Sequence, residues 1–178
     1  MHNAKNYLAI WLKRVPFLRW GLALGVRLFA PKNYVGVMAV VFNDQGRVLL
    51  AQHVFRPDYP WGLPGGWVER GEDPALAVQR ELWEELNLKV EVRRILFCVP
   101  QGEKPTTTTP LGLALAYYCR VANDVVLPLE QMAEAKSAFE VLAAEWADPA
   151  CIGRTLNPIH LTAIKLGHQE YKNEQRHH

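Results

Sequence analysis

The sequence predicts an α+β domain built on a mixed β-sheet and preceded by a basic helical extension. The length of 178 residues suits about one domain. Apolar residues occur at strand spacing in some segments and at helical spacing in others. These segments do not follow the regular βαβ order of a parallel α/β fold, which favours a mixed sheet. A content of 49% hydrophobic and 21% charged residues excludes collagen-like, coiled-coil and wholly disordered chains.

The predicted extension covers residues 1–34, and the predicted domain covers residues 35–178. Apolar residues at helical spacing before and after Pro16 predict two short amphipathic helices. The longest apolar run, Trp20 to Val26, is far shorter than the roughly 20 residues that a membrane span needs, which excludes a transmembrane helix. Before the first carboxylate, Asp44, the chain carries only basic charges: Lys5, Lys13, Arg14, Arg19, Arg27 and Lys32.

Three interpretations of residues 5–29 stay open. The helices pack on the domain or on a second copy of it, which would give a homodimer. Alternatively they lie on an anionic membrane surface, since Trp11, Trp20 and the uncompensated bases suit a peripheral contact. In the third interpretation the segment is a mobile arm.

The remaining charges and the cysteines limit the partners and the compartment. Residues 44–178 hold 14 bases and 18 acids, a formal charge of −4, so we expect no specific nucleic-acid binding. The three cysteines are widely spaced and odd in number, and they form neither a disulfide framework nor a zinc motif. We therefore expect a reducing, cytoplasmic location.

The domain begins with a predicted β-hairpin. Its strands are Val35–Phe42 and Arg47–His53, and the turn is Asn43–Gly46. The segment Arg56–Gly66 that follows is rich in proline and glycine, which predicts a loop without a helix or a central strand.

A helix is predicted from Pro74 to about Leu86. Asp73 serves as its N-cap, Pro74 occupies the first helical position, and apolar residues recur every three or four residues. A final helix is predicted from the cap Asn157 through about Tyr171. The later strand candidates are Lys89–Val99, Leu111–Val121, Val125–Leu129 and Glu140–Trp146.

Three carboxylates share one face of the first of these helices. At 100° per residue, Glu81, Glu84 and Glu85 span an arc of about 100°. Carboxylate oxygens are hard ligands that suit Mg²⁺ or Mn²⁺, and without Cys or His in the cluster a zinc site is disfavoured. A solvated acidic face, which costs only a few tenths of a kcal/mol per like-charged pair, is the alternative.

The spacing around this helix resembles a known family signature. The residues Gly66, Glu72 and Arg80–Leu88 match the Nudix hydrolase pattern Gly-x5-Glu-x7-Arg-Glu-U-x-Glu-Glu-x-Gly-U, in which U is aliphatic. The single departure is Asn87, which stands where the pattern has glycine. Asn tolerates the left-handed backbone that we expect at that position. The resemblance covers about Val35 to Pro149.

The resemblance implies a Nudix-type α/β/α sandwich and a Mg²⁺- or Mn²⁺-dependent pyrophosphohydrolase. Such an enzyme cleaves the phosphoanhydride of a nucleoside diphosphate linked to another group. Nucleoside triphosphates, as in MutT-type cleansing, and ADP-ribose both stay open as substrates. The rival interpretation is a non-catalytic Nudix module that binds a nucleotide or ADP-ribose.

The resemblance also implies residue roles. Glu81 and Glu85 become metal ligands, and Glu84 a third ligand or the general base. Glu72 pairs with Arg80 and holds the loop against the helix. Two further metal-ligand candidates are the backbone carbonyl of Gly65 and the carboxylate of Glu140, the latter alternatively a base. Glu130 and Glu145 compete with Glu140 for that role, and the alternative for Glu140 is a solvated acid at the end of a strand.

For residues that flank the signature, a structural role competes with a role in substrate binding. For His53 and Arg56, an ordinary surface role is favoured over substrate contact. The aromatic residues Tyr59, Trp61 and Trp67 are candidates for stacking a base, against the alternative of partly buried core positions.

Overall fold

The computed structural model describes residues 20, 24, 25, 34–101, 112–122 and 140–176. The chain divides into two compact units, Met1–Asn33 and Tyr34–His178. Nearly all of the predicted extension and the strand candidate Val125–Leu129 lie outside the described residues, so both stay predictions. In the described part of the chain, no helix is both long enough and apolar enough to cross a membrane.

The described residues of the second unit form six strands and two helices. In chain order they are β1 (Tyr34–Phe42), β2 (Val48–His53), β3 (Trp61–Gly62), α1 (Pro74–Leu86), β4 (Val90–Gln101), β5 (Gly112–Val121), β6 (Val141–Ala147) and α2 (Pro158–Arg176).

The sheet has the order β3-β2-β1-β5-β4, and β6 pairs with β2. The predicted hairpin is present, because β1 and β2 meet antiparallel at Phe42 and Val48. Along its whole length, however, β1 pairs in parallel with β5, from Tyr34 beside Gly112 to Phe42 beside Arg120. The other pairs of strands are antiparallel. The predicted mixed sheet is therefore confirmed.

The proline- and glycine-rich loop contains one short strand. The two residues of β3 pair with Gln52 and Ala51 of β2 at the end of the sheet order, so the segment holds a short edge strand but no central strand. Proline and glycine prevent a long strand, but a two-residue ladder fits between Pro60 and Pro64.

Helices cover both faces of the sheet and complete the α/β/α sandwich. Because side chains alternate along a strand, β1 supplies apolar residues to two cores. One core joins β1 to α1, and its fully buried side chains include Val41, Val78 and Leu82. The other joins β1 to α2 and includes Phe42 and Ala163. The helix that carries the acidic face is thus anchored by its opposite, apolar side.

Local signals fix the two ends of α1 as predicted. The Asp73 side chain accepts a hydrogen bond of 2.8 Å from the Ala75 N–H, and Pro74 begins the helix. Asn87 follows the last turn with φ 51° and ψ 31°, the expected left-handed conformation. Its N–H donates to the Trp83 carbonyl at 2.9 Å and the Leu88 N–H donates to the Leu82 carbonyl at 3.1 Å, which ends the helix.

Replacing Asn87 by alanine is expected to lower the free energy of unfolding by roughly 1–2 kcal/mol, because alanine pays the full cost of the left-handed backbone. Asn87→Gly should be at least as stable as the original protein, since glycine adopts this conformation freely. Urea unfolding of the two variants measures the difference. Equal stability of the alanine and glycine variants would contradict this account of the helix end.

Candidate active site

A glycine pair is held against the central strand of the sheet. The carbonyl of Gly66 accepts a hydrogen bond of 2.9 Å from the Val37 N–H, and the Val68 N–H donates one of 2.8 Å to the Val35 carbonyl. Gly65 has φ 142°, and a Cβ there would lie 2.2 Å from the Val37 carbonyl oxygen. Only glycine fits this close backbone approach.

The carboxylates of α1 reach this loop. A Cβ on Gly66 would lie 2.4 Å from the carboxyl carbon of Glu81, so that side chain stands directly over the loop backbone. Glu85 is 4% exposed, and its Oε2 accepts a hydrogen bond of 3.2 Å from the Gly65 N–H. Both carboxylates therefore lie at the glycine pair.

Burial dominates the electrostatics of these two acids. Loss of hydration raises the pKa of Glu85 to about 7, and the negative charge of Glu81 adds to this rise. The Gly65 hydrogen bond and the positive charge of Arg56 oppose it. Burial also raises the pKa of Glu81, against the opposing interaction with Arg80. A pair of buried acids with raised pKa values favours a bound cation.

Arg80 ties the loop to the helix. Its Nε and Nη2 donate to the two carboxylate oxygens of Glu72 at 2.8 Å and 3.0 Å, so the predicted ion pair is present. Nη2 also donates to the Trp67 carbonyl at 2.9 Å. Nη1 donates to Glu81 at 2.9 Å and to Glu84 at 3.2 Å. Hydrogen bonds from Arg80 and from the Glu69 N–H lower the pKa of Glu72.

Only some of the carboxylates predicted from the sequence lie together at the glycine pair. Glu84 is more exposed than Glu81, with side-chain exposures of 41% and 14%. Glu140 is exposed and precedes β6, and its charge contributes to the raised pKa of Glu85. Among the described residues, no three His, Cys, Asp or Glu side chains are close enough together to hold a metal ion. The ligand roles therefore stay predictions.

The donor set nevertheless fits a divalent cation. Two acids with raised pKa values lie against a glycine loop, and all of the candidate donors are oxygens, which suit Mg²⁺ or Mn²⁺. Arg80 now supplies the positive charge that Glu81 and Glu84 require. A cation at these carboxylates would take over that role.

A polar cluster beside Glu85 was not predicted from the sequence. His53 is only 6% exposed, so the surface role expected for it was wrong, whereas Arg56 is half-buried with its Nη1 atom buried. His160 of α2 joins them, and its Nδ1 accepts a hydrogen bond of 3.0 Å from the Leu63 N–H. Burial and the nearby Arg56 charge lower the pKa of each histidine to about 3. The apolar run that ends at His53 was the available signal of burial.

Trp61, Trp67 and Glu145 contact residues outside the acidic helix face. Trp61 lies under the Arg154 guanidinium at 4.3 Å, whereas Trp67 packs edge-on against Tyr34 at 5.9 Å. Glu145 pairs with Arg154 at 2.7 Å, and this pairing lowers the pKa of Glu145. Base stacking by the aromatic residues stays a prediction.

The metal-free protein is expected to lose part of its stability as the pH rises from about 4.5 to 7. The folded state holds the Glu85 proton more tightly than the unfolded chain, because the folded pKa is about 7 and the ordinary value is 4.5. This contribution is complete below pH 4.5 and disappears as the carboxyl ionises, a loss on the order of 3 kcal/mol.

Comparison with Glu85→Gln isolates this contribution. The two buried histidines act in the opposite direction, because their stability contribution is lost as the pH falls from 6.5 towards 3. Both proteins contain them, so they cancel in the difference. Urea unfolding in EDTA should show the variant gaining stability relative to the original protein between pH 5 and 7. A difference that does not change with pH would refute the prediction.

The sandwich and its site define a class of protein: a hydrolase in which one acidic helix faces a glycine loop held by the sheet. The family follows from comparison with known proteins. The NUDIX domain model matches residues 32–164, and the chain belongs to the Nudix hydrolase family. Members of this family generally use divalent metal ions.

Individual relatives agree with this assignment. The chain is 29% identical over 136 residues to a MutT-like protein of Streptomyces ambofaciens, covering 76% of each. It is 28% identical over 166 residues to nucleoside diphosphate-linked moiety X motif 6 of Mus musculus, covering 91% of this chain. It spans 48%, about half, of that longer relative.

A solved structure of a MutT Nudix hydrolase from Burkholderia pseudomallei is similar, with a TM-score of 0.60 and 25% identity. The match covers 76% of this chain and 98% of that one. The family, the sandwich fold and the hydrolase class predicted from the sequence are therefore confirmed.

Proposed function

We propose that this protein is a Mg²⁺- or Mn²⁺-dependent pyrophosphohydrolase that cleaves the phosphoanhydride of a nucleoside diphosphate linked to another group. The observation that carries the proposal is the buried Glu85 carboxylate, which lies with Glu81 at the Gly65–Gly66 loop. Burying the Glu85 carboxylate without an ion-pair partner among the described residues is costly, and a site for divalent cations justifies that cost. The name of the mouse relative supports a nucleoside diphosphate derivative as the substrate class.

In this proposal Glu81 and Glu85 hold the cation, together with Glu84 or the Gly65 carbonyl. A cation held there would supply positive charge to the diphosphate oxygens and would make a water molecule more acidic. Arg80 gives up its Nη1 contacts to Glu81 and Glu84 but keeps the remainder of its bonds. Its Nε and Nη2 continue to bind Glu72 and the Trp67 carbonyl.

Proton transfer is assigned to Glu84. Its side chain is the most exposed of the three helical carboxylates, so it can reach water and accept a proton from the attacking molecule. Glu140 is the alternative base or additional ligand, since it is exposed and close enough for its charge to act on Glu85. Glu72 and Arg80 act as positioning residues, because they fasten the loop to the helix.

A product screen tests the proposal. Purified full-length protein is assayed with nucleoside triphosphates, ADP-ribose, sugar nucleotides and dinucleotides, in Mg²⁺, in Mn²⁺ and in EDTA. We expect cleavage products from at least one class with either cation and none in EDTA. Tight nucleotide binding without any product would instead support a non-catalytic binding module.

The proposal also includes partners for residues 5–29. We keep packing on a second copy of the chain, or contact with an anionic membrane surface, as candidates, in a cytoplasmic protein. Sedimentation with vesicles of anionic lipid at low salt separates them. Absence of binding to the vesicles eliminates the membrane contact. A molecular mass in solution of twice that of one chain would indicate the homodimer.

A further inference from the structure

Arg56 is a half-buried cation that the proposed reaction does not yet use. It lies in the segment between β2 and β3, and its Nη1 atom is buried without a hydrogen-bond partner. That atom is 3.0 Å from the position of a Cβ on Gly62, so the missing side chain at Gly62 creates the space for the guanidinium. Gly65, whose N–H holds Glu85, follows three residues later.

The neighbouring histidines do not balance the charge of Arg56. His53 is buried and His160 is half-buried beside it, and both are neutral at physiological pH because their pKa values are about 3. The Nε2 atom of His53 is likewise buried without a hydrogen-bond partner. Burial lowers the pKa of Arg56, whereas the charge of Glu85 raises it. Among the described residues Arg56 forms no ion pair with a carboxylate, so the charge of Glu85 acts on it only at a distance.

Binding of a divalent cation at Glu85 changes this balance. The carboxylate then faces the metal, and two positive centres share a largely buried region, where charges are weakly screened. Such an arrangement requires another anion. The diphosphate of the substrate brings several negative oxygens to this place, and Arg56 has an unused donor.

We propose that Arg56, whose Nη1 atom has no hydrogen-bond partner, binds a phosphoryl oxygen of the substrate when the cation occupies the carboxylates. The inference rests on the proposed function and adds a substrate-binding residue to it. It predicts that Arg56 opposes metal binding in the absence of nucleotide and favours nucleotide binding in the presence of metal.

Arg56→Gln tests both effects. Mn²⁺ alone should bind the variant about threefold more tightly or better, because a repelling charge has been removed. With Mn²⁺ present, α,β-methylene-ADP, a diphosphate ester that resists hydrolysis, should bind roughly tenfold more weakly or worse, as for loss of a charged hydrogen bond. Titration calorimetry measures the two affinities. Because damage to the fold would weaken the binding of both ligands, tighter Mn²⁺ binding together with weaker α,β-methylene-ADP binding shows that Arg56 acts on the ligands directly.

The matched control is Arg93→Gln, which removes the same charge from an exposed position on β4, where the Arg93 side chain is 51% exposed. It should leave both affinities unchanged. If Arg56→Gln does not fold, Arg56→Lys keeps the charge but loses the planar fork, and it should weaken only the binding of α,β-methylene-ADP.

Unchanged affinities in the Arg56 variants, or weaker binding of both Mn²⁺ and α,β-methylene-ADP, would overturn the assignment of Arg56 and leave the proposed function standing. If the original protein itself neither binds α,β-methylene-ADP with Mn²⁺ nor yields products in the screen, the proposed function fails, and the role of Arg56 fails with it.

Discussion

Replacing Glu85 by glutamine is expected to lower hydrolytic turnover by about a hundredfold or more while the protein stays folded. The amide has the shape of the carboxylate and can still accept the Gly65 hydrogen bond, so the packing of this buried side chain is retained. It lacks the negative charge that a divalent cation needs. Initial rates with Mg²⁺ on the best substrate of the screen measure the effect, and a thermal melt in EDTA checks the fold.

Glu91→Gln provides the control for this experiment. Glu91 lies on β4 and is half-exposed in an ion pair with Arg93, so the same chemical change there should leave the rate as it was. A Glu85→Gln protein that turns over within about twofold of the original rate would remove Glu85 from the reaction.

Gly65→Ala is expected to lower the free energy of unfolding by about 3 kcal/mol or more. The new methyl group would lie 2.2 Å from the Val37 carbonyl oxygen and 2.9 Å from the Met38 Cα, and both belong to the backbone of a buried strand. Neither can move without breaking the pairing of β1. Chemical denaturation monitored by tryptophan fluorescence measures the loss.

Two other glycines separate the causes of this loss. Gly71 also has a positive φ, 82°, but nothing lies within 4 Å of its Cβ position, so Gly71→Ala should cost about 1 kcal/mol from backbone strain alone. Gly153 has neither feature, and Gly153→Ala should stay within about 0.5 kcal/mol of the original. Equal losses for Gly65→Ala and Gly71→Ala would show that the close contact with β1 is unimportant.

The elements that depend on local signals could be predicted from the sequence. The helix α1 begins at Pro74 after its cap and ends at Asn87, because the signals for both ends lie within a few residues of them. The parallel pairing of β1 with β5 could not be predicted, since it joins segments about 78 residues apart and no local rule specifies the partner. The final helix also continues five residues beyond the predicted Tyr171, to Arg176.

The same distinction holds in the candidate site. The ion pair of Glu72 and Arg80 was predictable, because the spacing of the signature brings them together across one loop. The cluster of His53, Arg56 and His160 was not, since it joins the end of a strand, a loop and a distant helix. Arginine is usually found at the surface, and only tertiary packing shows that the Nη1 atom of Arg56 is buried.

The hydrogen bonds between the glycine pair and β1 have a consequence for how the site moves. Because the Val37 N–H is bound to Gly66 and the Ala39 N–H to Pro64, the loop belongs to the same cooperative unit as the central sheet. These two amides should exchange with deuterium only through global unfolding. The backbone of the glycine pair should therefore stay in place while substrate enters and product leaves.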